Sequence, residues 1–142
     1  MEKKVNEQDW TGFVKMIADY MEEGLLDNIV SMLKADKMQY PVIGELIADE
    51  RIRVRLGATA LVEMLAEEDP ASIELLAVPS ILKVLNHENP TIRGDAANLF
   101  AIAGSKEAVS ALAAALHEEQ NPGVRETLSD ALDAIAKKIF HD

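Results

Sequence analysis

The amino-acid sequence predicts an all-α fold, a right-handed α-α superhelix of about eight helices. A short pattern recurs three times, as Val54-Arg55, Ile92-Arg93 and Val124-Arg125, each opening an alanine- and leucine-rich run. The recurrences lie 38 and 32 residues apart, within the range of stacked helix-pair repeats. Composition points the same way. Hydrophobic residues make up 49% of the chain but aromatics only 4%, so Ala, Leu, Ile and Val must fill the core. That mixture favours close helix packing over a sheet, which draws on aromatic and β-branched residues.

Residues 7–23 carry Trp10, Phe13, Val14, Ile17, Tyr20 and Met21 on one helical face, and Gly24 is placed to end that helix. Leu25, Leu26, Ile29, Val30 and Leu33 define the apolar side of a second. After a polar break at 35–39, Pro41 suits the first turn of a short helix through Ala48. A long helix follows from about Glu50 to Ala66, closed by Glu67-Glu68-Asp69-Pro70. Pro79 predicts an interruption, with a short helix over 71–76 and another from Pro79 to Leu85. Asn89 then caps a helix through Ala103, Gly104 stops it, Ser105 caps another through Leu116, and Asn121 caps the last, to Ile139.

The chain has 142 residues, a net charge of −11 and no cysteine. Disulfides and thiolate chemistry are excluded. No apolar run reaches the length of a membrane span, and Met1-Glu2-Lys3-Lys4-Val5-Asn6 lacks a hydrophobic signal core, so the expectation is a cytoplasmic protein. Acids outnumber bases 11 to 5 in residues 1–50, 7 to 5 in 51–100 and 7 to 4 thereafter. A nucleic-acid binder needs a basic stripe to release counterions, and an anionic membrane needs the same, so neither is an expected partner. The acidic surface serves solubility.

The run Asn89-Pro90-Thr91-Ile92-Arg93 with Ala96, Ala97, Leu99 and Ala103-Gly104, then Ala108-Val109 with Leu112 and Leu116, resembles a HEAT repeat of the short prokaryotic, PBS-lyase-like kind. The resemblance covers residues 40–140. It implies one domain over 1–142, with divergent N-terminal helices in 1–39, repeats in 40–120 and a C-terminal capping helix in 121–140. It also implies a non-enzymatic scaffold for protein–protein interaction. The alternative it carries is an accessory factor that presents a substrate to an enzyme or a cofactor-maturation system.

Every arginine sits at a repeat opening: Arg51, Arg53, Arg55, Arg93 and Arg125. All other bases are lysine, so the guanidinium is there for geometry. Its five fixed donors can bond a carbonyl or carboxamide in a neighbouring loop. Arg55, Arg93 and Arg125 are therefore expected to form a structural ladder tying together the loops at Asp49, Asn89 and Asn121. Ala58, Ala60, Ala96, Ala97 and Ala101 are placed for close helix approach, where larger side chains would overpack. The last helix puts Val124, Leu128, Ala131, Leu132, Ile135 and Ile139 on one face. Glu126, Ser129, Asp130, Asp133 and Lys137 lie opposite, as an end cap requires.

Chemistry-bearing constellations are absent or out of register. Deoxyhypusine hydroxylase, an iron enzyme built on the same repeats, carries His-Glu ligand pairs directly after the Val-Arg step. Here those places hold Leu56-Gly57, Gly94-Asp95 and Glu126-Thr127, while His87-Glu88 and His117-Glu118 fall in preceding loops. No phosphate-binding glycine loop and no catalytic triad signature occurs. No catalytic residue, metal or cofactor is expected. What remains is the concave surface lined by the second helix of each repeat. Its candidate contacts for a protein or peptide are Tyr40, Gly44, Pro79, Lys83, Ser110 and Ala114. The aromatic first helix, with Trp10, Phe13 and Tyr20, either caps the stack over Leu26, Ile29 and Val30 or forms an interface, giving a monomer or a weak homodimer.

Overall fold

Helix ends fall where side chains or glycine can satisfy the backbone groups a helix leaves open. The computed structural model describes residues 7–104 and 106–140, and all its regular structure is helical. Helix α1 spans Glu7–Glu22 and ends in a Schellman turn. Gly24 there adopts φ 85°, its N–H donates to the Met21 carbonyl at 3.0 Å, and Leu25 N–H donates to the Tyr20 carbonyl at 3.0 Å. Helix α2 (Leu26–Ala35) and a 3-10 turn at Lys37–Gln39 lead into α3 (Val42–Ile47) and α4 (Ile52–Glu68). Helix α6 (Pro90–Ala103) opens on the Asn89 side chain, which accepts from Thr91 N–H at 2.9 Å. After a second 3-10 turn at Lys106–Ala108 come α7 (Val109–Glu118) and α8 (Pro122–Phe140). Asn121 starts α8 by accepting from Val124 N–H at 3.1 Å. The expected Ser105 cap and the terminal His141 lie outside the described residues.

The expected interruption at Pro79 is corrected. Residues 70–84 form one continuous helix, α5, made of Pro70–Ser72, a π turn at Ile73–Ala77 and Val78–Val84. Proline removes a donor and its ring collides with the carbonyl one turn back, which ordinarily breaks a helix. Here the chain widens just before the proline. Val78 N–H reaches the Ile73 carbonyl, five residues back, and the Ser80 hydroxyl donates to the Ala77 carbonyl at 2.6 Å. The π turn absorbs the steric conflict, so a second break is not needed.

With α5 counted as one helix, the described residues form eight α-helices, stacked as an all-α solenoid. Helices α4, α6 and α8 pack in one row, and α3, α5 and α7 run along the other side, each packed on a helix of the first row. The core lies between the rows. Val54, Ala58, Leu61 and Leu65 of α4, Ile92, Ala96, Leu99 and Phe100 of α6, and Val124, Leu128, Ala131 and Ile135 of α8 are all buried in one core. At the N-terminal end α1 and α2 pack on α4 and contribute Ile17, Met21, Ile29 and Leu33 to the same core. At the other end Glu126, Ser129, Asp130, Asp133 and Lys137 of α8 are exposed. No helix among the described residues is long and apolar enough to cross a membrane.

Candidate partner-docking groove

The second-row helices are unevenly spaced, and glycine decides the first interval. A Cβ at Gly44 would stand 2.5 Å from the Ser80 carbonyl oxygen, so α3 and α5 touch backbone to backbone. The next interval is open. Helices α5 and α7 touch only weakly and leave a groove of about 680 Å³ between them. Its floor is Leu82, Leu85, Ala111, Ala114 and Ala115, and its rim carries Glu88, Glu118 and Glu119. A neighbouring groove of about 410 Å³ runs between α3 and α5, past Trp10, Glu45 and Lys83. Asn86 and His87 line both, so the two grooves adjoin and together form a track along the second row.

The predicted contact residues divide over this surface. Lys83 and Ala114 are exposed and line the track. Pro79 and Ser110 are exposed but lie one turn away, outside both grooves. Tyr40 and Gly44 need correction: both are buried, Tyr40 at 1% exposure. The close α3–α5 approach consumes the surface that Gly44 was expected to offer, leaving only its backbone in the groove wall. Tyr40 turns into the core, where burial pushes its phenol pKa up. Leu82, Leu85 and Glu88 were not legible as contacts. The one hint was that Leu82 and Leu85 flank Lys83, too little to separate a groove floor from a core position.

Beneath the track, the arginines repeat one geometry. Arg55 Nη1 donates to the Asp49 and Glu50 carbonyls, both at 2.9 Å, and its Nε reaches Asp95 of the next repeat at 2.7 Å. Arg93 Nη1 donates to the His87 and Glu88 carbonyls at 2.9 and 3.1 Å. Its Nε and Nη2 grip both oxygens of Glu119, at 2.6 and 3.0 Å. Arg125 Nη1 donates to the Leu116 and Glu119 carbonyls, both at 2.7 Å. Each arginine thus clamps the loop before its own helix, and the first two also hold a carboxylate of the following repeat. Carbonyls serve as acceptors as expected, Asp49 among them, but the carboxamides do not: Asn89 and Asn121 spend their side chains on helix caps, and the rungs between repeats run to Asp95 and Glu119.

Electrostatics follow from these pairs. The Arg93 fork and the backbone N–H groups of Asn121 and Gln120 hold the Glu119 carboxyl below its usual range, against the pull of burial. Burial acts most strongly on Asp49, pushing it up, but the hydrogen bonds from Arg51 outweigh that and leave it lowered. The Lys37 ammonium and the Ser72 hydroxyl and N–H bring Asp69 to about 2. The Glu67-Glu68-Asp69 run is thereby committed in part: Glu68 pairs with Lys34 at 2.6 Å, and Asp69 pairs with Lys37 while capping α5. His87 Nδ1 accepts from Asn89 N–H at 3.0 Å, which turns that ring toward its own loop. Among the described residues no three His, Asp or Glu side chains converge as metal ligands.

Comparison with known proteins adds one relationship. A family model described as HEAT repeats matches residues 41–133, about two thirds of the chain. No curated protein and no solved structure gives a significant match.

Proposed function

We propose a protein-docking function for this chain, which belongs to the HEAT-repeat family, with its partner held along the track between α3, α5 and α7. HEAT repeats are generally scaffolds for protein–protein interaction, and their fold is typically non-catalytic. The observation that carries the reading is the open α5–α7 interval: a groove with a leucine and alanine floor and a polar rim. An apolar strip of this kind matches the way a helix or extended peptide is taken into a groove. The arginine clamps support it from below, because they fix the loops at 86–89 and 116–121 that form its rim.

The test is affinity capture from the native host, with the partner identified by mass spectrometry and cross-linked through Lys83. Lys83→Glu with Ala114→Arg places bulk and charge in the track without entering the core. Because both residues are exposed, stability should change by less than about 0.5 kcal/mol. Capture of the cross-linked partner should fall at least tenfold. Undiminished capture by the double variant would move the interface off this face.

A further inference from the structure

The track has a polarity that specifies its occupant. The grooves are lined by Glu45 of α3, by Lys83 and Val84 near the end of α5, and by Ala115 and Glu118 near the end of α7. The ends of α5 and α7 therefore share one edge, where Arg93, Arg125 and following backbone N–H groups bond carbonyls that the helices leave open. Side-chain charge sets the field there. The carboxylates of Glu45, Glu88 and Glu118 have no hydrogen-bond or ion-pair partner, while Glu119 is taken by Arg93. Among the described residues lining the track, Lys83 is the one cation without a partner. The edge is thus anionic beside an apolar floor.

We infer that the track binds a basic amphipathic helix. Its apolar stripe would lie on Leu82, Leu85, Ala111 and Ala114, with its Lys or Arg residues against Glu88 and Glu118. The alanines of α7 allow a third helix to approach closely, and the leucines of α5 supply the apolar area. An acidic helix would meet repulsion from every unpaired carboxylate except at Lys83. The net charge of −11 favours encounter with a basic segment at long range. This inference rests on the docking function proposed above.

Three synthetic peptides of about 14 residues, close to four helical turns, test it. One places leucines along a single face with lysines elsewhere, the second replaces lysine by glutamate, and the third scrambles the Leu/Lys sequence. Trp10, the only tryptophan, lines the track and reports occupancy by fluorescence, alongside calorimetry at physiological salt. The Leu/Lys helix should bind at least tenfold more tightly than the scrambled peptide, and the Leu/Glu helix should not bind. Ala114→Arg should weaken the Leu/Lys helix at least tenfold, as should the pair Glu88→Lys with Glu118→Lys. Asp130→Lys, on the outer face of α8, should leave it within twofold. Equal binding of the Leu/Glu and Leu/Lys helices would overturn the charge assignment and leave groove docking standing. Binding that ignores Ala114→Arg, or an absence of binding by the Leu/Lys helix, would overturn the inference; indifference to Ala114→Arg would count against the groove itself. Circular dichroism on each variant separates loss of binding from loss of fold.

Discussion

Arg93 and Glu119, 26 residues apart in sequence, are joined by two parallel hydrogen bonds of 2.6 and 3.0 Å across the boundary between two repeats. The same guanidinium fixes the His87 and Glu88 carbonyls through its remaining nitrogen. The Glu119 carboxylate in turn accepts from Gln120 and Asn121 N–H, both at 3.1 Å. One side chain thus sets the geometry of two loops and the start of the last helix.

Arg93→Ala should cost about 2–3 kcal/mol, because it strands a half-buried carboxylate and two carbonyls. Arg93→Lys should recover less than half, since an ammonium cannot reproduce the two-pronged grip. Arg125→Ala should cost about 1 kcal/mol, because Arg125 bonds two carbonyls and holds no carboxylate. Urea denaturation of the four proteins orders them. Equal stabilities for Arg93→Ala and Arg125→Ala would remove the carboxylate grip from the account.

Acid should destabilise the fold through the lowered carboxylates. Glu119, Asp49, Asp19 and Asp69 all have folded-state pKa values below their ordinary ones. A group lowered on folding contributes fully above its unfolded pKa and loses that contribution as pH falls through its folded value. Stability should therefore be level between about pH 5 and pH 9 and decline below about pH 4.5, continuing toward pH 2 where Asp69 titrates. Thermal melts across this range check the sign, and Glu119→Gln should flatten the upper part of the decline.

Gly44→Ala should destabilise by about 1–3 kcal/mol, since the added methyl meets the Ser80 carbonyl and α3 and α5 must separate. Helix propensity alone predicts the opposite sign, by up to about 1 kcal/mol in favour of alanine. A chemical melt decides between them: a more stable variant would mean the two helices can part without loss.

Trp10 is half-buried, stacked on Phe13 with ring centroids 5.7 Å apart, and stands beside the groove between α3 and α5. The sequence left the aromatic helix as either a cap over Leu26, Ile29 and Val30 or an interface; α1 packs on α2, α3 and α4, with its tryptophan beside the groove of the second row. Its emission should be intermediate between buried and free tryptophan and should not change with protein concentration. An emission that moves to the blue as light scattering detects dimers would assign α1 to a self-association surface.

The fold was written locally. Periodicity placed the helices, Gly24, Asn89 and Asn121 marked their ends, and the Val-Arg recurrences set the repeat, because caps and amphipathic faces depend on residues within one or two turns. Glu126, Asp130 and Asp133 likewise announced the exposed face of α8. Tertiary structure decided what local rules cannot reach. Pro79 reads as a helix break until the π turn before it is formed, and that turn depends on how α5 packs. Gly44 and Ala114 are both expected at the surface, yet Gly44 is buried because α3 meets α5 backbone to backbone there, while Ala114 stays exposed beside the open interval between α5 and α7. The arginine rungs ended on Asp95 and Glu119 because carboxylates, once brought within reach, attract a guanidinium more strongly than the neutral carboxamides already engaged in capping. Helix identity is fixed by neighbours in sequence; the groove is fixed by the distance between helices, which only the packed chain defines.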